Sequence, residues 1–296
     1  TQMEQQQDMY KFTHDQTVRL ANLGYTPREI AERLKLPESL AGNFHLRGYY
    51  GTLSHNSKAV YQHYFGWYQG NPAQLNPLPP EQSSLRYVEF MGGAEAILEK
   101  ASESMQLGEY RWVAEVLNHL VFAQPDNGPA KRMLAEAYQQ LGYQSESGPW
   151  RDIYLSGALE LLSGTPDQYY DPVFAKAFVQ QVPLVQFMKA LSVRLDGEKA
   201  EGERLVLNVL FTDQQQNFVL TVRNSVMHYK ESPAAANADV SIALSKNLFV
   251  DILLGQAGIQ QLLTTDELAV EGSVIKLLKF FSLLGESNDN FNMVTP

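Results

Sequence analysis

The chain has 296 residues, of which 44% are hydrophobic and 19% charged, enough apolar material for two folded domains of ordinary size. A formal charge of −10 with only 23 Lys and Arg argues against nucleic acid as a partner, because such binders place cations on phosphates. With no cysteine, disulfides, thiolate metal sites and cysteine nucleophiles are excluded, and no run of about 18 apolar residues is present to span a membrane.

The chain opens Thr1-Gln2-Met3-Glu4, without the basic and apolar regions of a signal peptide. The absence of Met at position 1 predicts that it starts inside a longer protein. Thr13-His14-Asp15-Gln16 has the spacing of a capping box and predicts a helix from there to Gly24. Thr26-Pro27-Arg28-Glu29 predicts a second start, with Thr as cap, Pro at the first helical position and Glu29 reaching back. Residues 43–70 crowd Tyr and Trp among glycines and read as a loop followed by a helix over roughly 54–67, with a Pro-rich connector after it. From Gly92 to Leu141 three helical stripes return, Ala94 to Ala101, Trp112 to Leu120 and Met133 to Tyr138. Their turns resemble a tetratricopeptide-type hairpin, but the spacing fits a bundle and not a solenoid. A further helix is predicted over about 151–163.

Gly164-Thr165-Pro166 marks a boundary. Beyond it, 205–211, 218–222, 226–229 and 239–244 are rich in β-branched and aromatic residues, with Asn224-Ser225 as one of the turns. Helices are predicted at about 246–254 and 256–263, a short strand at 268–271 and a helix at 273–284. The whole is α+β in class: a helical half, then a domain with a mainly antiparallel sheet.

None of the six histidines, His14, His45, His55, His63, His119 and His228, forms a His-x-His or His-Glu-x-x-His pair. His55 stands apart because it follows Gly48-Tyr49-Tyr50-Gly51, where glycines allow close backbone approach, so it is a candidate last ligand of a site built mainly elsewhere. Arg111, between Tyr110 and Trp112, suits either anion recognition or a plain pairing with an aromatic ring or a carboxylate. Thr26 to Pro37 resembles the first half of a DNA-binding helix-turn-helix, but the next segment, Glu38 to Phe44, carries no Arg or Lys and reads as packing. Phe211, Phe218, Phe249, Leu253, Leu278 and Phe281 are candidate walls of a tunnel for an aliphatic ligand, with an ordinary core as the alternative. The aromatic segment 44–68 predicts a partner surface and hence a homodimer.

Three segments, Arg47 to Asn71 (RGYYGTLSHNSKAVYQHYFGWYQGN), Gly108 to Pro125 (GEYRWVAEVLNHLVFAQP) and Gly142 to Leu162 (GYQSESGPWRDIYLSGALELL), resemble the linear alkyl sulfatases of the metallo-β-lactamase superfamily, the dodecyl-sulfate-degrading hydrolases. Residues 170–296 resemble their C-terminal domain, of the sterol-carrier-protein-type-two kind, through Met188 to Leu195 and Leu268 to Gly272. The resemblance implies residues 1–70 as the tail of a metallo-β-lactamase-type domain, 71–166 as a helical dimerisation domain and 167–296 as the sterol-carrier-like domain. It implies two zinc ions in the complete enzyme and an incomplete metal site here, since the hallmark His-x-His-x-Asp-His is missing. By the same likeness His55 is the final zinc ligand and Arg111 is a sulfate-binding or active-site-lining residue, while Tyr50 is a substrate-binding candidate only through its proximity to His55. The implied reaction cleaves a primary alkyl sulfate to alcohol and sulfate in a periplasmic or secreted homodimer. The alternative expectation is a stand-alone dimeric module that binds lipid or surfactant without catalysis.

Overall fold

Helix α1 (Gln2–Ala21) begins at Thr1, whose hydroxyl accepts the Glu4 N–H while the Glu4 carboxylate takes the terminal amine at 2.5 Å. The capping box expected at Thr13 lies in mid-helix instead, where the Thr13 hydroxyl donates to the Met9 carbonyl at 2.8 Å. A threonine inside a helix makes that back-bond, and the four-residue pattern does not distinguish the two settings. Gly24, with φ of +87°, follows the helix end as expected. Helix α2 (Pro27–Arg33) has the predicted start: Thr26 caps it, and Glu29 returns to the Thr26 N–H at 2.8 Å. The next helix, α3 (Glu38–Ala41), is a single turn, too short for a recognition helix.

The computed structural model describes residues 1–165, 172–258, 265–285 and 290–296. Two units divide the chain, Thr1–Thr165 together with Phe291–Pro296, and Pro166–Asn290. The first unit continues with α4 (Leu53–Phe65), α5 (Pro80–Phe90), α6 (Ala94–Gln106), α7 (Tyr110–Ala123), α8 (Gly128–Tyr143) and α9 (Gly148–Ser163). Helix α7 is central and packs on α5, α6 and α8. Its Val113, Leu117, Leu120 and Val121, spaced on one stripe, are fully buried against Ile97, Leu134 and neighbouring alanines. A smaller core joins Leu20, Ile30, Leu34 and Tyr61 from α1, α2 with the residue that ends it, and α4. The last six residues return to this unit. The Met293 and Val294 N–H groups donate to Glu160 on α9 at 2.8 and 3.0 Å, and Val294 rests over Gly157. Phe44, Tyr50, Tyr64 and Trp67 stay exposed on the aromatic-rich segment.

The second unit opens with two helices absent from the predicted elements, α10 (Pro172–Gln181) and α11 (Leu184–Val193). Five strands follow: β1 (Leu205–Phe211), β2 (Gln216–Arg223), β3 (Val226–Glu231), β4 (Val240–Leu244) and β5 (Ala269–Gly272). They form one sheet in the order β3-β2-β1-β4-β5, antiparallel except for the β1–β4 pair. Asn224 and Ser225, with φ of 50° and 60°, make the tight β2–β3 hairpin, in which both central residues need positive φ. Helix α12 (Lys246–Leu253) precedes β5, and α13 (Val274–Ser282) closes the unit. Of the helix expected over 256–263, Gln256 and Ala257 lie in a bend, and 259–264 are outside the described residues.

One sheet face, carrying Leu205, Leu207, Val209 and Phe211 with Phe218, Leu220 and Val222, is buried beneath the helices. Phe211, Phe218 and Phe249 have no exposed surface and meet edge to face, the Phe211 ring 6.1 Å from Phe218 and 5.7 Å from Phe249. These three candidate tunnel walls therefore pack the interior against one another, with Leu253 and Phe281 half-buried beside them and Leu278 half-buried on α13. Asp239 ties the sheet to α13. Its carboxylate accepts the Val206 N–H at 2.8 Å and pairs with Lys276, while its carbonyl accepts the Ser273 N–H.

Candidate functional site

His55 sits in the first turn of α4, and the sequence holds it there through Thr52. The Thr52 hydroxyl accepts the His55 N–H at 3.2 Å as a helix cap and also meets His55 Nδ1 at 2.9 Å. The imidazole stands edge-on to Trp150 of α9, with ring centroids 4.5 Å apart. Partial burial, and then the nearby Lys58 ammonium, lower its proton affinity below that of a free histidine. The neutral ring, the form that ligates metals, is therefore favoured, with Nε2 as its remaining donor atom.

The loop before α4 is docked on the start of α9. The Tyr49 carbonyl accepts the Gly148 N–H at 2.8 Å, and the Tyr50 carbonyl accepts the Ser147 hydroxyl at 2.5 Å. Ser147 is buried and also caps α9 by accepting the Trp150 N–H. Gly51 lets the Asn56 amide lie close over the loop, where a Cβ would come 2.9 Å from its oxygen and the side chain would have to turn aside. The loop backbone is thus held at two points while the Tyr50 ring remains exposed.

Arg111 lies in an open cleft of about 540 Å³ between α2, α4, α7 and α9, lined by Arg28, Glu32, Lys58, Arg111, His119 and Tyr154 among others. Its guanidinium pairs with Glu32 at 2.9 Å, which satisfies the carboxylate-pairing alternative for this residue. Both partners are exposed, at 70% and 62% of their side-chain surface. Burial, and then Arg111, with Arg28 also contributing, push the Lys58 ammonium below its ordinary range against the opposing pull of Glu32. Burial likewise lowers His119, whose Nδ1 meets the Ser84 hydroxyl at 3.2 Å and whose ring stacks on Tyr87.

His55 and Tyr50 are not among the residues lining this cleft, so the three sequence candidates do not form one pocket. They are nonetheless linked through α4 and α9. Lys58 follows His55 and Tyr154 follows Trp150 by about one helical turn. Sequence reasoning missed Thr52, Lys58, Ser147 and Trp150. Thr52-x-x-His55 carried a readable signal, a cap spacing with histidine in place of the usual Glu.

Zinc was expected from the family resemblance. Among the described residues no group of three or more His, Asp or Glu side chains is placed to hold a metal ion. A catalytic zinc takes about three protein ligands. The residues present therefore do not build a zinc site by themselves, and His55 offers one nitrogen. Among the described residues, no helix is long and apolar enough to cross a membrane.

Comparison with known proteins gives two family models, alkyl sulfatase dimerisation over residues 26–164 and alkyl sulfatase C-terminal over residues 173–296. A linear primary-alkylsulfatase of Pseudomonas sp. is 44% identical over 295 residues, covering all of this chain and 44% of that protein. The alkyl/aryl-sulfatase BDS1 of Saccharomyces cerevisiae is 43% identical, covering 99% of this chain and 45% of its own length. The solved structure of the stereoselective inverting sec-alkylsulfatase Pisa1 from Pseudomonas sp. superposes with a TM-score of 0.92 at 39% identity, over 99% of this chain and 46% of that one. The chain thus spans less than half the length of each of these three relatives. Over that span it belongs to the alkyl sulfatase family, whose dimerisation and C-terminal domains it carries.

Proposed function

We propose that the chain serves a zinc-dependent alkyl sulfatase that hydrolyses linear primary alkyl sulfates, such as dodecyl sulfate, to alcohol and inorganic sulfate. The carrying observation is the 44% identity to a linear primary-alkylsulfatase over the length of this chain. In this reading the metal pair is completed by residues outside the chain, and His55 contributes one imidazole nitrogen. Thr52 and Trp150 orient that ring, and the lowered proton affinity keeps it available near neutral pH. Tyr50 offers an exposed phenol from a loop whose backbone is fixed, and Arg111 offers a guanidinium for the sulfate head. The helical unit forms a homodimer, supported by its match to the dimerisation model and by its exposed aromatic side chains. A periplasmic or secreted setting belongs to the same reading.

The test is His55→Ala in the protein that carries this chain, read by zinc content and by sulfate release from dodecyl sulfate. Both should fall together. Unchanged zinc and unchanged turnover would remove His55 from the site. Light scattering should give twice the chain mass at micromolar concentration, and a monomer would remove the dimer.

A further inference from the structure

Arg28 on α2, Lys58 on α4 and Arg111 on α7 come from sequence positions far apart, yet they line one cleft of a chain whose net charge is −10. Converging like charges is unfavourable, and folding normally offsets it with resident carboxylates. The compensation here is incomplete. Glu32 binds Arg111 through one guanidinium nitrogen at 2.9 Å, and among the described residues Arg28 and Lys58 form no ion pair. Glu115 also lines the cleft, so three cations face two carboxylates. Lys58 is depressed mainly by burial, and the further contributions of Arg111 and Arg28 fit the same crowding of cations. The phenol of Tyr154 and the half-buried imidazole of His119 add groups able to hydrogen-bond to an oxyanion.

We propose that this cleft is a binding site for a divalent oxyanion, held by Arg28, Lys58 and Arg111, and that Glu32 is a built-in competitor which the anion displaces from Arg111. An exposed single-contact ion pair is weak and screened, so it yields to a ligand that engages several cations at once. Displacement leaves the Glu32 carboxylate in water, where it costs little. The choice of sulfate as the ligand rests on the alkyl-sulfatase reading, whereas the site itself does not. A station about one helical turn from His55 would hold a sulfate head on arrival or the inorganic sulfate after cleavage.

The experiment is calorimetric titration of this chain with sodium sulfate at ionic strength held constant with chloride, with amide chemical shifts followed at residues 28, 58 and 111. Sulfate should bind saturably and shift those amides. Lys58→Met and Arg28→Met should each weaken it about five- to tenfold, Lys58→Arg should retain it, and Glu32→Gln should strengthen it about two- to fivefold. No saturable binding by either the parent chain or Glu32→Gln would overturn the site. Equal affinity in Lys58→Met, with circular dichroism showing the fold intact, would overturn it as well. Saturable phosphate binding without sulfate binding would overturn the ligand assignment. No turnover is measured, so failure here leaves the hydrolase reading standing, and loss of hydrolysis leaves this site standing.

Discussion

Replacing Phe249 by Ala separates a filled interior from a tunnel in the second unit. Phe249 has no exposed surface, and its ring lies 5.8 Å from Phe187, 5.7 Å from Phe211 and 6.0 Å from Phe281. Phe→Ala in a packed core costs about 3–5 kcal/mol, through lost transfer energy and the cavity left behind. Each aromatic pair adds about 0.5–1.5 kcal/mol beyond its area, so the loss of three pairs puts this site at the upper end of that range, about 5 kcal/mol. Urea unfolding followed by far-ultraviolet circular dichroism measures the loss as a shift of midpoint at constant slope. Trp67, Trp112 and Trp150 all lie in the first unit, so tryptophan fluorescence provides a control that the substitution should not move. Dodecanol should restore part of the lost stability in the variant by occupying the new apolar space, and should leave the parent chain unchanged. A loss below about 1 kcal/mol, or stabilisation of the parent chain by dodecanol, would mean that the rings line space and do not fill it.

Gly272→Ala should cost more than about 2 kcal/mol in thermal unfolding, because φ is +97° and the added Cβ would lie 2.6 Å from the Asp239 carbonyl oxygen. The Lys276 ammonium, and then the Val206 N–H, hold the Asp239 carboxyl below its usual range. Its contribution should therefore be complete above about pH 4, the unfolded value, and be lost as pH falls through the lower folded value. Asp239→Asn should cost about 1–2 kcal/mol at neutral pH, discounted because Lys276 is nearly half exposed, and should flatten that part of the acid limb in urea titrations. Thr52→Ala should cost about 1 kcal/mol and speed amide exchange at His55, since the cap and the ring contact are lost together.

Local chemistry was the legible part. Thr26-Pro27-Arg28-Glu29 identified a helix start because cap, proline and returning carboxylate each act within four residues. The strand segments were legible because β2 and β4 bury alternate side chains and β1 is apolar at every position but Asn208. Helix α10 was not, since PVFAKAFVQQ puts apolar residues on more than one face and blurs the period, whereas α11 carries a helical stripe, Leu184, Phe187, Met188 and Leu191, that went unread. Gly24 and Thr13 show the limit of single signals: one marked a helix end, while the other matched a cap and lay in mid-helix. The cleft was invisible in sequence because residues 28, 58, 111 and 154 meet only after four helices pack. His55 stood out through its glycine-rich approach, but its orienting partner Trp150 lies 95 positions away by number and enters only with the fold.

The return of Phe291–Pro296 to α9 sets an order on synthesis. Residues 166–290 emerge before the strand of chain that completes the unit begun at residue 1. The helical unit, made before residues 166–290, is finished only after them. Until then Gly157 has no Val294 over it, and Glu160 lacks the two N–H groups it later accepts. Domains generally fold as units in the order they are made. Here a nascent chain arrested at residue 165 should hold its α7–α8 core yet exchange amides along α9 faster than the released protein, until the final six residues lock it.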